Sequence, residues 1–136
     1  LFDCNTYVYV WKKNPIASKS SVSLQELEKY PCLTFDQGKT NSFYFAEDVF
    51  STYEYKQTIQ VDDRASMLNL MVGLNGYTLC SGIICEELNG SDYAAVPLKE
   101  TEVMTIGYVK RKSIQLSELA QLYVNELAKY KNLVLK

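Results

Sequence analysis

Apolar positions recur along this chain with two different spacings, and together they predict alternating strands and helices. Thr6 to Trp11, read TYVYVW, crowds β-branched and aromatic side chains together, which predicts a strand. Pro15 ends it, since proline brings no amide hydrogen to a ladder. Ser18 to Ser23 is polar and loop-like. Ser23 followed by Glu26 makes a capping box for a short helical turn, Leu24 to Lys29. Pro31 to Phe35 predicts a short apolar strand. Beyond the polar loop Asp36 to Ser42, residues Phe43, Phe45, Ala46, Val49 and Phe50 share an approximately helical face.

Strand character returns at Tyr55 to Val61. Asp62 or Asp63 can cap a helix starting near Arg64, in which Met67, Leu70, Met71 and Leu74 form a core stripe. Asn75-Gly76 supplies the left-handed stop that such a helix needs. Tyr77 to Ile84 and Tyr93 to Val96 predict strands, and Glu102 to Lys110 a longer one. Ser117 caps an amphipathic helix with Leu116, Leu119, Ala120, Tyr123, Leu127 and Tyr130 along one face. The alternation predicts an α/β fold: an open, mixed, mostly parallel sheet with helices on both faces.

Composition narrows the function. The 136 residues suit one domain, and a net charge of −2 argues against a surface for non-specific nucleic-acid binding. The longest basic cluster, Lys110-Arg111-Lys112, reads as a solvated charge group. With no histidine, the chain lacks the commonest acid–base catalyst and metal ligand. Cys4, Cys32, Cys80 and Cys85 contain no CxxC pair, so they are expected to be reduced thiols in a cytoplasmic protein, with no metal and no cofactor. No apolar run is long enough for a membrane span and no signal peptide is visible. The start at Leu1-Phe2-Asp3, without methionine, suggests a piece of a longer protein.

Ligands of open α/β sheets bind outside the carboxyl ends of the strands. Two loops fit that rule. One is Asp36 to Asn41, where Gly38 permits a tight turn beside a ligand; the other is Asp62 to Ser66. Both should open on one sheet edge. Capping alone explains the same residue types, and this reading stands beside the binding one. Nucleophile elbows and phosphate-binding glycine loops are not found, and Cys80 or Cys85 would lack a basic partner, so no catalytic residue is assigned. The eleven tyrosines are read as packing and interface residues.

The ordered set VSLQELEKYPCLTF, FDQGKTNSFYFAEDVF, VDDRASMLNLMVGLNGYTL and AAVPLKETEVMTIGYVKRKSIQLSELAQLYVNEL resembles the effector-binding domain of LysR-type transcriptional regulators. Gly73-Leu74-Asn75-Gly76 stands where that family often has a glycine-rich turn. The resemblance implies a periplasmic-binding-protein-like (type II) fold with two lobes joined by crossover strands. Residues 1–12 would be the first crossover, 13–101 the second lobe, and 102–136 the second crossover and the last helix of the first lobe. The opening part of the first lobe and the helix-turn-helix that reads DNA would then lie outside this chain. It further implies ligand contacts at Gln37, Gly38, Lys39, Thr40, Asp63, Arg64 and Ser66, a small polar effector with anions among the candidates, and a homodimer that meets DNA only through the absent domain. Two departures stand out: Cys80-Ser81-Gly82 where proline is common, and Met67-Leu68 where a polar contact is sometimes found. A solute-binding component of a transport system, an enzyme of related fold and a pure dimerisation fragment are the rival readings.

Overall fold

In the computed structural model, residues 1–36, 53–100 and 102–131 are described. Strands β1 (Phe2–Asn5) and β2 (Tyr7–Trp11) open the chain, followed by a 3-10 turn, Pro15–Ser18, and helix α1 (Leu24–Leu27). Then come β3 (Cys32–Phe35), β4 (Thr58–Val61), α2 (Arg64–Gly73), β5 (Tyr77–Cys80) and α3 (Glu86–Asn89). Strands β6 (Tyr93–Pro97) and β7 (Val103–Ile106) and helix α4 (Glu118–Ala128) finish the described part.

Five strands form one sheet in the order β4-β3-β5-β2-β6. The pairings β3–β4 and β3–β5 are parallel, whereas β2–β5 and β2–β6 are antiparallel. The sheet is mixed, as expected, with its parallel half confined to β3, β4 and β5. Its faces are read directly from period-two alternation. Val8 and Val10 of β2, Cys32, Tyr77 and Val96 join Leu24 and Leu27 in one cluster. Tyr9 and Leu33 point the other way and pack with Met67 and Met71 of α2. Helix α1 and the 3-10 turn thus cover one face and α2 the other, giving three layers.

The local signals work as the sequence predicts. Ser23 Oγ accepts from the Glu26 amide while Glu26 returns a bond to the Ser23 amide, which closes the capping box. Lys19 and Lys99 both pair with Glu26 and, with those bonds, hold its carboxyl well below the usual carboxylate range. Asn75 takes the left-handed conformation (φ 55°) after α2. Gly76 beside it is needed for space: a Cβ there would sit 3.0 Å from the Pro31 carbonyl oxygen. Buried Asn14 ties the 3-10 turn to this corner, accepting from the Ile16 amide at 2.9 Å and donating to the Asn75 carbonyl at 3.0 Å.

Four elements differ from expectation, one of them β7, which spans only Val103–Ile106 of the strand expected over Glu102 to Lys110. Phe2–Asn5 forms β1, which pairs antiparallel with β7 in a separate two-stranded sheet. The strand after α2 stops at Cys80 because Gly82 turns the chain at φ 78°. Glu86–Asn89 forms the short helix α3, where only a turn at Asn89-Gly90 is legible. The predicted helical face at 43–50 lies outside the described residues. Among the described residues, no helix is long and apolar enough to cross a membrane.

Leu33 is fully buried between β3 and α2. Leu33→Ala should lower unfolding free energy by about 2–5 kcal/mol in a urea titration. Leu88→Ala, at an exposed position of α3, should change it by no more than about 0.5 kcal/mol.

Candidate functional site

Parallel pairing brings three strand ends to one edge. Phe35 is in register with Val61, and the Asp36 amide continues the ladder by donating to the Val61 carbonyl at 2.8 Å. Strand β5 runs the same way, so Ser81 to Ile84 leave from that edge as well. Antiparallel β2 begins there, with Tyr7 opposite both Cys80 and Pro97. The two loops singled out from sequence therefore do start on one edge, beside the point where the β1–β7 pair departs.

Thr6 is the joint between the two sheets. It is 2% exposed, its hydroxyl donates to the Glu102 carbonyl at 3.0 Å, and its own carbonyl accepts from the Leu98 amide at 3.1 Å. Val22 bridges to Leu98, and the Glu100 carboxylate accepts from the Leu24 amide at 3.0 and 3.1 Å. Residues 97–100 are thus pinned to the α1 face before the chain enters β7. Cys4 continues the contact by donating its thiol to the Met104 carbonyl at 3.5 Å. Burial, and then the nearby Asp3 charge, raise that thiol's pKa.

The α2 end of the edge is already capped. Asp63 accepts from the Ser66 amide at 2.8 Å. The Ser66 hydroxyl, then the Ser66 and Ala65 amides, hold the Asp63 carboxyl below its ordinary value. An anion approaching this helix start would meet a carboxylate on the amides expected to receive it. Arg64 supplies the positive group instead, and its Nη1 donates to Asn89 Oδ1 of α3 at 2.8 Å. Asp63, Arg64 and Ser66 are all exposed and sit together in one helical turn. Gln37, Gly38, Lys39 and Thr40 lie outside the described residues.

An aromatic pair that the sequence left as packing lies on the α2 face of the sheet. Tyr9 and Tyr93 stack with ring centroids 5.4 Å apart, and Tyr93 donates to the Leu68 carbonyl at 3.3 Å. The Tyr9 hydroxyl is buried with no hydrogen-bond partner among the described residues. Burial, with smaller contributions from Tyr93 and Cys80, pushes it up to about 12, against a lowering by Arg64. Cys80 is pushed up to about 11, mainly by burial, so its sulfur stays a protonated, weak nucleophile. Only alternation within TYVYVW could have placed Tyr9 opposite Val8 and Val10. Which face met α2 required the sheet order.

Gly82 gives a physical reason for one family departure. A Cβ at that position would stand 2.6 Å from the Tyr7 ring, so the backbone lies directly against it. No group of three or more acidic, cysteine or histidine side chains able to hold a metal occurs among the described residues.

The family model described as LysR substrate binding domain matches residues 1–131. The chain belongs to that family. It is accordingly a ligand-sensing domain of the regulatory kind, in place of the transport component that the sequence left as a rival. The solved structures agree in fold. HinK, a LysR family transcriptional regulator from Pseudomonas aeruginosa, is 18% identical with a TM-score of 0.63, over 95% of this chain and 45% of that one. The effector binding domain of QuiR in complex with shikimate is 15% identical (TM-score 0.58, 97% of this chain and 63% of that one). The BenM effector binding domain with its effector benzoate is 17% identical (TM-score 0.60, 96% and 62%). This LysR-type chain thus spans between about half and under two thirds of the length of those structures. No curated protein matches its sequence.

The Asp63 cap carries a pH signature. Its folded pKa lies below the unfolded value, so its stabilisation is complete above the ordinary value of 3.8 and is lost as pH falls through the folded pKa. Asp63→Asn should flatten the acid limb of the urea midpoint measured from about pH 6 to pH 2, compared with the parent chain.

Proposed function

We propose that this chain is the effector-gripping part of a LysR-type transcriptional regulator, with residues 13–101 as one lobe and the β1–β7 pair as the crossover to the other. The observation that carries the reading is convergence. Strands β3, β4 and β5 end on the edge from which β1 and β7 leave. A small molecule held there contacts the lobe and lies beside the joint at Thr6, so its binding free energy can bias how the lobes are set.

Arg64 and Ser66 would supply polar contacts from α2, while Gln37, Gly38, Lys39 and Thr40 would supply them from the neighbouring loop. Asp63 neutralises the α2 amides, so recognition of an anion falls to Arg64 and Lys39. QuiR and BenM domains are described with shikimate and benzoate, both small ring-bearing carboxylates, and such acids head the ligand search. In the whole regulator, the domain would act as a cytoplasmic homodimer and pass its state to a helix-turn-helix that contacts DNA. It would bind and release its effector unchanged, without a cofactor, metal or membrane.

A calorimetric screen of ring carboxylates and their uncharged analogues against the full-length regulator tests this. Arg64→Ala should weaken the carboxylate that binds by about tenfold or more, the scale of a lost charge-assisted contact. Unchanged affinity for every ligand found would remove the α2 edge from the site.

A further inference from the structure

Arg64 is held by a neutral partner. Its Nη1 donates to Asn89 Oδ1 at 2.8 Å, which ties the start of α2 to α3. Acids stand close by in sequence: Asp62 and Asp63 beside Arg64, and Glu86 and Glu87 near Asn89. Among the described residues, none of them forms an ion pair with Arg64. Asp63 is taken up by the Ser66 amide, and Glu87 accepts from the Cys85 thiol at 3.3 Å. The guanidinium is therefore placed without being neutralised.

Helix α3 has little else to anchor it. None of its four residues is buried; Leu88 is 79% exposed, and Asn89 alone is half-buried. A helix so short does not persist without outside contacts. Its end is closed by Gly90, which turns at φ 77° and donates its amide to the Glu86 carbonyl at 2.8 Å. That closure sets the Asn89 carboxamide at the last position of α3, on Arg64.

A guanidinium carries its five N–H donors in one plane. Asn89 uses one of them, and no other hydrogen bond reaches Arg64 among the described residues. The edge made by Nε–H and Nη2–H is left over, and two such parallel donors match the two oxygens of a carboxylate. A fork already held at Nη1 also loses less side-chain freedom when a ligand arrives. An amide carbonyl orients the cation by its dipole, whereas a carboxylate in its place would cancel the charge.

We infer that Asn89 is a positioning residue of the effector site, which fixes the Arg64 fork and, by its neutrality, leaves the charge of Arg64 to a planar carboxylate. This rests on the reading above that Arg64 is an anion contact of the effector, and it adds α3 to the site.

Titration calorimetry of the full-length regulator with benzoate and with shikimate tests the inference, with Asn89→Ala, Asn89→Asp, Asn89→Gln and Arg64→Ala beside the parent. Asn89→Ala should weaken the acid that binds by about three- to tenfold, the scale of one lost orienting hydrogen bond. Asn89→Asp should weaken it by about tenfold or more, with a urea midpoint no lower than the parent's, because an ion pair ties α3 at least as firmly. Asn89→Gln, neutral like the parent, should bind more tightly than Asn89→Asp. A purely structural Asn89 gives the opposite order, with the firm tie of Asn89→Asp binding as well as the parent, and that result overturns the inference. Loss of affinity in Arg64→Ala without loss in Asn89→Ala or Asn89→Asp overturns it alone. Unchanged affinity in Arg64→Ala overturns the anion contact as well. A parent that binds neither acid up to about 10 mM overturns the carboxylate class assigned here and leaves Arg64 to other anions.

Discussion

Everything in this domain hangs on β2 being buried on both faces at once. Val8 and Val10 are wholly enclosed against the α1 side, and Tyr9 against the α2 side. A strand in that position needs a neighbour on each edge and a layer on each face, because unpaired backbone groups are costly in the interior. Strands β5 and β6 provide the edges, and α1 and α2 the layers. The same strand starts at Thr6, whose hydrogen bonds fasten the two-stranded sheet to the five-stranded one. Core packing and the joint between sheets are therefore one feature.

That arrangement also decides what the candidate site can recognise. The edge gathers polar turns because three parallel strands end there, yet each turn must first satisfy its own helix. Asp63 does so for α2, spending its carboxylate on the amides that an anion would want. What remains for a ligand is Arg64, exposed at the start of α2 and donating to Asn89. In the Tyr9–Tyr93 stack the buried Tyr9 hydroxyl has no hydrogen-bond partner among the described residues, and a desolvated donor without a partner is destabilising.

Much of the fold was legible because its signals are local. The Ser23–Glu26 box, the Asp63 and Ser117 caps and the Asn75 stop each depend on a few neighbouring residues. Strand β1 escaped notice because Phe2–Asn5 alternates too briefly to signal, and it owes its existence to β7, a hundred residues away. Likewise Gly82 ends β5 for the sake of the Tyr7 ring, a contact with no trace near it in sequence. The strands that lead into the two candidate loops end on a common edge because they run parallel, whereas Gln37, Gly38, Lys39 and Thr40 lie outside the described residues. The competition between capping and binding was not legible, as the same side chains serve both.

The sequence alone determined the elements, their caps, the two faces of each strand and the family to which their order points. Those properties follow from backbone sterics, hydrogen-bonding capacity and the period of apolar residues, all of which act over a few positions. Tertiary structure alone decided the strand order, the Thr6 joint and the Tyr9–Tyr93 stack. Each of these depends on which distant surfaces exclude water from one another, and a linear pattern carries no record of that choice.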